Sequence, residues 1–243
     1  MENIRAEIAA SAARFIAEDG LDYGSAKRKA TAQVLGELPR GASNLLPSNS
    51  EIEEEVRVYQ RLFQSDSQPA LLAARREVAL DWLRRLSTWL QEADLAATTS
   101  GPFVTGAVWN GTASAHSPVR LELYLDNPKD AEIFLLNAGI DYQVEPLVSG
   151  DSSGDAGEFL HFAWQDVDIC LYLYEYVAQH RGSGRSATTS DNAAARSAQT
   201  NIALQDGGML PLYRRKERGT WQELLQVMQE DRGAAASAAY SGR

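Results

Sequence analysis

A single cysteine, Cys170, stands in a chain of 243 residues. That scarcity excludes an intramolecular disulfide framework and suits a reducing compartment. Histidine is scarce too: His116, His161 and His180 show no metal-ligand spacing with Cys170, so a zinc site is not expected. No apolar run approaches the roughly 20 residues that span a bilayer. The first helix sets Arg5, Glu7 and Arg14 among its alanines, unlike a secretory leader. The expectation is a soluble, cytoplasmic protein without a membrane partner. Basic residues are outnumbered, 23 Lys and Arg against 33 Asp and Glu, for a net charge of −10. Such a field repels nucleic acid unless a local basic patch overrides it. Candidate patches are Lys27 to Lys29, Arg75/Arg76, Arg84/Arg85, and Arg214, Arg215, Lys216 and Arg218, and charge runs of this kind usually form solvated surface. Neither a G-x-S-x-G elbow nor a Gly-rich loop ending in Gly-Lys-Ser/Thr occurs, which removes the usual serine-hydrolase and P-loop chemistries.

What is present is 44% hydrophobic sequence, enough for a substantial core, in two periodicities. Residues 1–98 read as helical: Ile4, Ile8, Ala12, Phe15 and Ile16 recur at helical spacing, and a second helix starts at Ser25. Ser50 is the expected cap of a third, with Glu53 as capping-box partner. A long fourth carries Leu72, Ala79, Trp82, Leu83, Leu86, Trp89 and Leu90. From Pro102 the period changes to two. Phe103 to Thr105 forms a short run, and in Val119 to Asp126 apolar residues alternate with Arg120, Glu122, Tyr124 and Asp126. A helix opens at Asn127-Pro128 and stops at Gly139, and strands are expected at Asp141 to Val148, Phe159 to Trp164 and Val167 to Tyr176. Tyr172, Tyr174 and Tyr176 form a stripe suited to packing against a helix. The fold class is therefore α/β (α+β), a helical lead followed by a mixed sheet flanked by helices. The expected organisation is a helical lead over 1–98, an α/β domain over 99–180, a flexible linker over 181–208, a C-terminal strand and helix over 209–232 with a Thr220/Glu223 capping box, and a frayed tail over 233–243.

The segment from Gly106 to Leu121, GAVWNGTASAHSPVRL, carries the most chemical information. It resembles the motif of minimal nucleotidyltransferases of the polymerase-beta-like superfamily, approximately G-S-x-A-R-G-x-A-x-x-x-S-D-I-D-L. Gly106, Gly111, Thr112, Ala113, Ser117 and Leu121 fall in line with it, and Val119 stands for the isoleucine. Blocks such as RFIAEDGLDYGSAKRKA, PSNSEIEEEVRVYQRLF and DNPKDAEIFLLNAGIDY are similar to a proteobacterial family of nucleotidyltransferase-like proteins with a helical lead. The resemblance implies a strand, a Gly-Ser turn, a short helical segment and a second strand. It also implies magnesium with a nucleoside triphosphate, the ions held by two aspartates one residue apart. Phosphate contacts would fall to Gly106, Ala107, Asn110, Gly111, Thr112, Ser117 and Arg120.

The departures matter as much as the matches. Ala107 replaces the serine, Pro118 takes the first aspartate position and Arg120 the second. Proline offers no side-chain ligand, and arginine puts a fixed positive charge where a dication should sit. Glu122 shares a face with Arg120, and Asp168 sits in a later strand, so these two are the candidate catalytic and metal-ligating residues. Three functions compete: a degenerate nucleotidyltransferase-fold protein binding a nucleotide or macromolecular partner, an active transferase with a site rearranged onto Glu122 and Asp168, and a helical protein-interaction module with the α/β domain as platform. Nucleic acid is a fourth, less expected partner.

Overall fold

In a computed structural model of the protein, residues 2–36, 45–146, 157–176 and 218–241 are described. Ile8, Ala12 and Phe15 recur on one face of α1 (Glu2–Asp19) and are buried there. The Asp22 side chain caps α2 (Tyr23–Leu35) by accepting from the Ser25 N–H at 3.0 Å. In α3 (Asn49–Phe63) the capping box is Ser48/Glu51, two residues ahead of the expected Ser50/Glu53. Both pairs fit the S-x-x-E pattern, and the one directly after Pro47 starts the helix. These three helices close a small core of Ile8, Ala12, Ala13, Ala26, Ala30, Ile52 and Val56, in which alanines permit close helix approach.

The long helix α4 (Gln68–Glu92) has Pro in its first turn and buries Ala79, Trp82, Leu83, Leu86 and Leu90 against the sheet. There follow β1 (Thr99–Thr105), α5 (Gly106–Asn110), β2 (Val119–Leu125), α6 (Lys129–Asn137), β3 (Gln143–Pro146), β4 (Gly157–Trp164), β5 (Val167–Glu175), β6 (Arg218–Gly219) and α7 (Trp221–Ser241). The strand order is β3-β4-β5-β2-β1-β6. It is mixed: β2 runs parallel to β5, and the other pairings are antiparallel. One face packs Val104, Leu121, Leu123, Ile169, Leu171 and Leu173 beneath the helices. Trp89 of α4 stacks on Phe134 of α6 at 4.7 Å.

Three departures from the local reading have local causes. β1 begins at Thr99 rather than Phe103, because a register irregularity between Ser100 and Phe103 takes up Gly101 and Pro102. α7 continues past Gly233 to Ser241, where a frayed tail was expected; alanine, the best helix former, dominates that stretch. Tyr172 and Tyr174 do not pack on a helix, since Leu171 and Leu173 take the helix side. They stack instead on aromatic neighbours across the strands, Tyr172 on Phe159 and Tyr174 on Tyr124. The linker over 181–208 and the strand expected at 209–213 lie outside the described residues.

Candidate functional site

The turn after β1 and the start of β2 meet at Gly106 and Arg120. Gly106 has a φ of +64°, and a Cβ added there would come 3.3 Å from Arg120 Cδ. Glycine is thus favoured twice, by a left-handed backbone and by the arginine stem lying across it. No side chain caps α5, and Ala107 in its first turn is half-buried. Arg120 is exposed, and no described residue gives it a hydrogen bond or an ion pair. Water satisfies an exposed guanidinium, so its position stays available to a ligand anion.

Register organises the face opposite α4 into rows. Thr105, Arg120, Cys170, His161 and Gln143 lie side by side from β1 to β3, and the next row is Phe103, Glu122, Tyr172, Phe159 and Glu145. Glu122 is held by Arg218, whose Nη1 lies 3.3 Å from its Oε2 and donates to the Tyr124 hydroxyl at 2.8 Å. The same guanidinium covers the Phe103 ring at 4.4 Å. Asp168 lies beyond the first row, 3.5 Å from His161 Nε2. Because Glu122 is opposite Tyr172, Asp168 stands four residues away along the strand direction, about 13 Å at ~3.3 Å per residue. The two carboxylates expected to share a metal are not brought together, and each faces a different nitrogen partner. Among the described residues no three His, Cys, Asp or Glu side chains gather into a group that can hold a metal ion. Burial pushes the Cys170 thiol up despite the field of Arg120, which fits a packed thiol better than a nucleophile. Burial also raises the Tyr172 phenol, again against Arg120.

The loop from 110 to 117 serves a different purpose. Its carbonyls accept from the helical lead and α4: Asn110 from Arg57 at 3.2 Å, Gly111 from Gln68 at 3.0 Å, Thr112 from Gln60 at 2.9 Å and Ala115 from Arg75 at 2.6 Å. Several amides are satisfied within the loop. Asn110 Oδ1 accepts from the Thr112 N–H and hydroxyl, and Ser117 Oγ from the Ser114 N–H. Asn110, Thr112 and Ser117, expected to contact phosphate, are therefore engaged in shaping this loop. Gly111 is at φ +89°, in the left-handed region that favours glycine, while a Cβ added there would make only an ordinary contact with Arg76 Nη2 at 3.6 Å. The phosphate-facing candidates that remain clear of this bonding are Gly106, Ala107 and Arg120.

Sequence reasoning missed three contributors. Tyr23 lies beside Thr112; burial raises its pKa and Glu53 adds to the rise, while Thr112, Arg57 and Arg120 oppose it. Arg218 reaches Glu122 across 96 positions, and no local pattern announces that pair. The Phe159–Tyr172 stack was visible only as alternation in two separate strands. A half-open polar cleft of 330 Å³ also lies between α1, the α3–α4 turn and the loop, lined by Glu18, Gln64, Ser67, Gln68, Ser114 and His116. His116 packs there against Gly20.

Most of the described basic candidates are spent internally. Lys29 pairs with Asp19, Arg85 with Asp81, Arg76 with Asp231 and Arg218 with Glu122, while Arg84 covers the Trp221 ring. No described helix is long and apolar enough to cross a membrane. No known family model matches the chain, and no curated protein is detectably similar to it.

Proposed function

We propose that the chain is a nucleotidyltransferase-fold protein that binds a nucleotide or another phosphorylated ligand at the Gly106–Arg120 turn, without the paired-aspartate metal chemistry of that superfamily. The observation that carries this reading is Arg120, without a partner among the described residues and lying over Gly106, at the strand position where the motif has its second aspartate. The order strand, glycine turn, short helix, strand in β1, α5 and β2 agrees with the motif, and β5 is a later strand beside β2. An arginine at that place neutralises phosphate directly, by a charge-assisted hydrogen bond, where a metal ion would otherwise do so.

Calorimetry of the full chain with adenine and guanine nucleotides, with and without magnesium and chelator, tests the reading. Binding should survive chelation, and Arg120→Ala should weaken it by roughly 1.5–3 kcal/mol, the range for a hydrogen bond to a charged group. Equal affinity of the wild type and the variant for every phosphorylated ligand overturns it.

A further inference from the structure

The second row of the sheet offers what a nucleotide's other end requires. Phe159 and Tyr172 lie opposite each other on β4 and β5, ring centroids 5.2 Å apart and planes at 23°, and both are half-exposed. Tyr172 is one strand across from Arg120 and two residues along. At ~4.8 Å between strands and ~3.3 Å per residue, the two Cα positions are about 8 Å apart. Their side chains leave the same face of the sheet. A single nucleotide spans such an interval from its 5′-phosphate to its base.

Charge narrows the ligand. Arg120 stands among acids: Glu122 already occupies Arg218, and Glu145 and Asp168 lie on the same face. A terminal phosphoryl group carries about −1.5 to −2. One guanidinium offsets most of that charge, whereas the larger charge of a triphosphate would be left mostly unbalanced in this acidic setting.

We propose that this face binds a nucleoside 5′-monophosphate, its phosphate on Arg120 over Gly106 and its base stacked on the Phe159–Tyr172 pair. The proposal rests on the anion-binding reading of Arg120 and adds the ligand's class and the residues that receive its base. Aromatic side chains stack on any base, so affinity should depend on the presence of a base more than on its identity.

The test uses the full chain and four probes: adenosine 5′-monophosphate, inorganic phosphate, adenosine, and adenosine triphosphate with magnesium. The wild type should bind the monophosphate at least ten-fold more tightly than phosphate or adenosine, and no less tightly than the triphosphate. Tyr172→Ala should weaken monophosphate binding about five-fold or more and leave inorganic phosphate unchanged. Tyr172→Phe should restore it. Tyr172→Leu, which keeps apolar bulk but removes the ring, guards against a folding defect and should behave as the alanine variant does. Arg120→Ala should weaken both phosphate and monophosphate. If Arg120→Ala loses phosphate while Tyr172→Leu and Phe159→Ala bind the monophosphate like the wild type, the base site is refuted and the anion reading stands. If Arg120→Ala changes nothing, both fall. A short single-stranded oligonucleotide that binds far more tightly than the monophosphate also refutes the proposal, in favour of a nucleic-acid surface.

Discussion

Arg76 on α4 and Asp231 on α7 form an ion pair across 155 positions, and the guanidinium is only 3% exposed. Its Nε also donates to the Val108 carbonyl at 3.1 Å, so one side chain ties α4 to both α5 and α7. Burial lowers the Arg76 pKa and Asp231 opposes that shift. Removing the arginine strands a buried carbonyl and leaves a void, while neutralising the aspartate leaves the buried guanidinium without its counter-charge. Arg76→Ala and Asp231→Asn should each cost roughly 3 kcal/mol in urea unfolding. Near-wild-type stability of Asp231→Asn would mean that water reaches the guanidinium in solution.

Gly106→Ala tests the turn beneath Arg120. A non-glycine residue at φ +64° costs roughly 1–2 kcal/mol, and the new methyl also presses on the Arg120 stem. Combining it with Arg120→Ala should relieve the contact but not the backbone strain. Unfolding free energies of the two single variants and the double would then fall short of additivity, the double being the less destabilised. Strict additivity would mean that the two residues do not touch in solution.

Ser48→Ala and Ser50→Ala separate two readings of one stretch of sequence. Ser48 Oγ accepts from the Glu51 N–H at 3.2 Å, and Glu51 returns the bond to the Ser48 N–H at 2.7 Å. Loss of that cap should cost about 1 kcal/mol, while Ser50→Ala should be nearly neutral. The reverse ranking in thermal unfolding would move the start of α3.

Glu51 also sets an acid sensitivity in the helical lead. Arg5 first, then Ser48, hold its pKa at about 2, below the ordinary glutamate value of 4.5. A depressed carboxylate pKa contributes stability above the unfolded value and loses it as pH falls through the folded one. The contribution of Glu51 should therefore be complete above about pH 4.5 and disappear toward pH 2. Glu51→Gln should lower the melting temperature at pH 6 and match the wild type near pH 2. A constant difference between the two proteins across that range would exclude Glu51 as the source.

Of the candidate site, the sequence exposed the parts that sit in one segment. Gly106, the short helix after it and the placement of Arg120 beside Glu122 follow from turn chemistry and strand alternation within sixteen or so residues. The fates of the two acids did not follow. Asp168 and Glu122 alternate in similar strands, and only the parallel register, Glu122 against Tyr172, separates them along the sheet. Register depends on how whole strands bury their apolar faces together, which no single strand encodes.

The sequence by itself determined the change from helical to strand periodicity, the α/β class, and the absence of aspartates at positions 118 and 120. Each is a property of residue type and local spacing, unaffected by what lies far along the chain. Tertiary structure alone decided that Arg218 claims Glu122, that side chains from α3 and α4 bond the loop carbonyls, and that Arg120 is left without a described partner. The physical reason is that an ion pair or hydrogen bond forms between groups a few ångströms apart in space. Distances of that kind between residues 96 positions apart exist only once the sheet has closed.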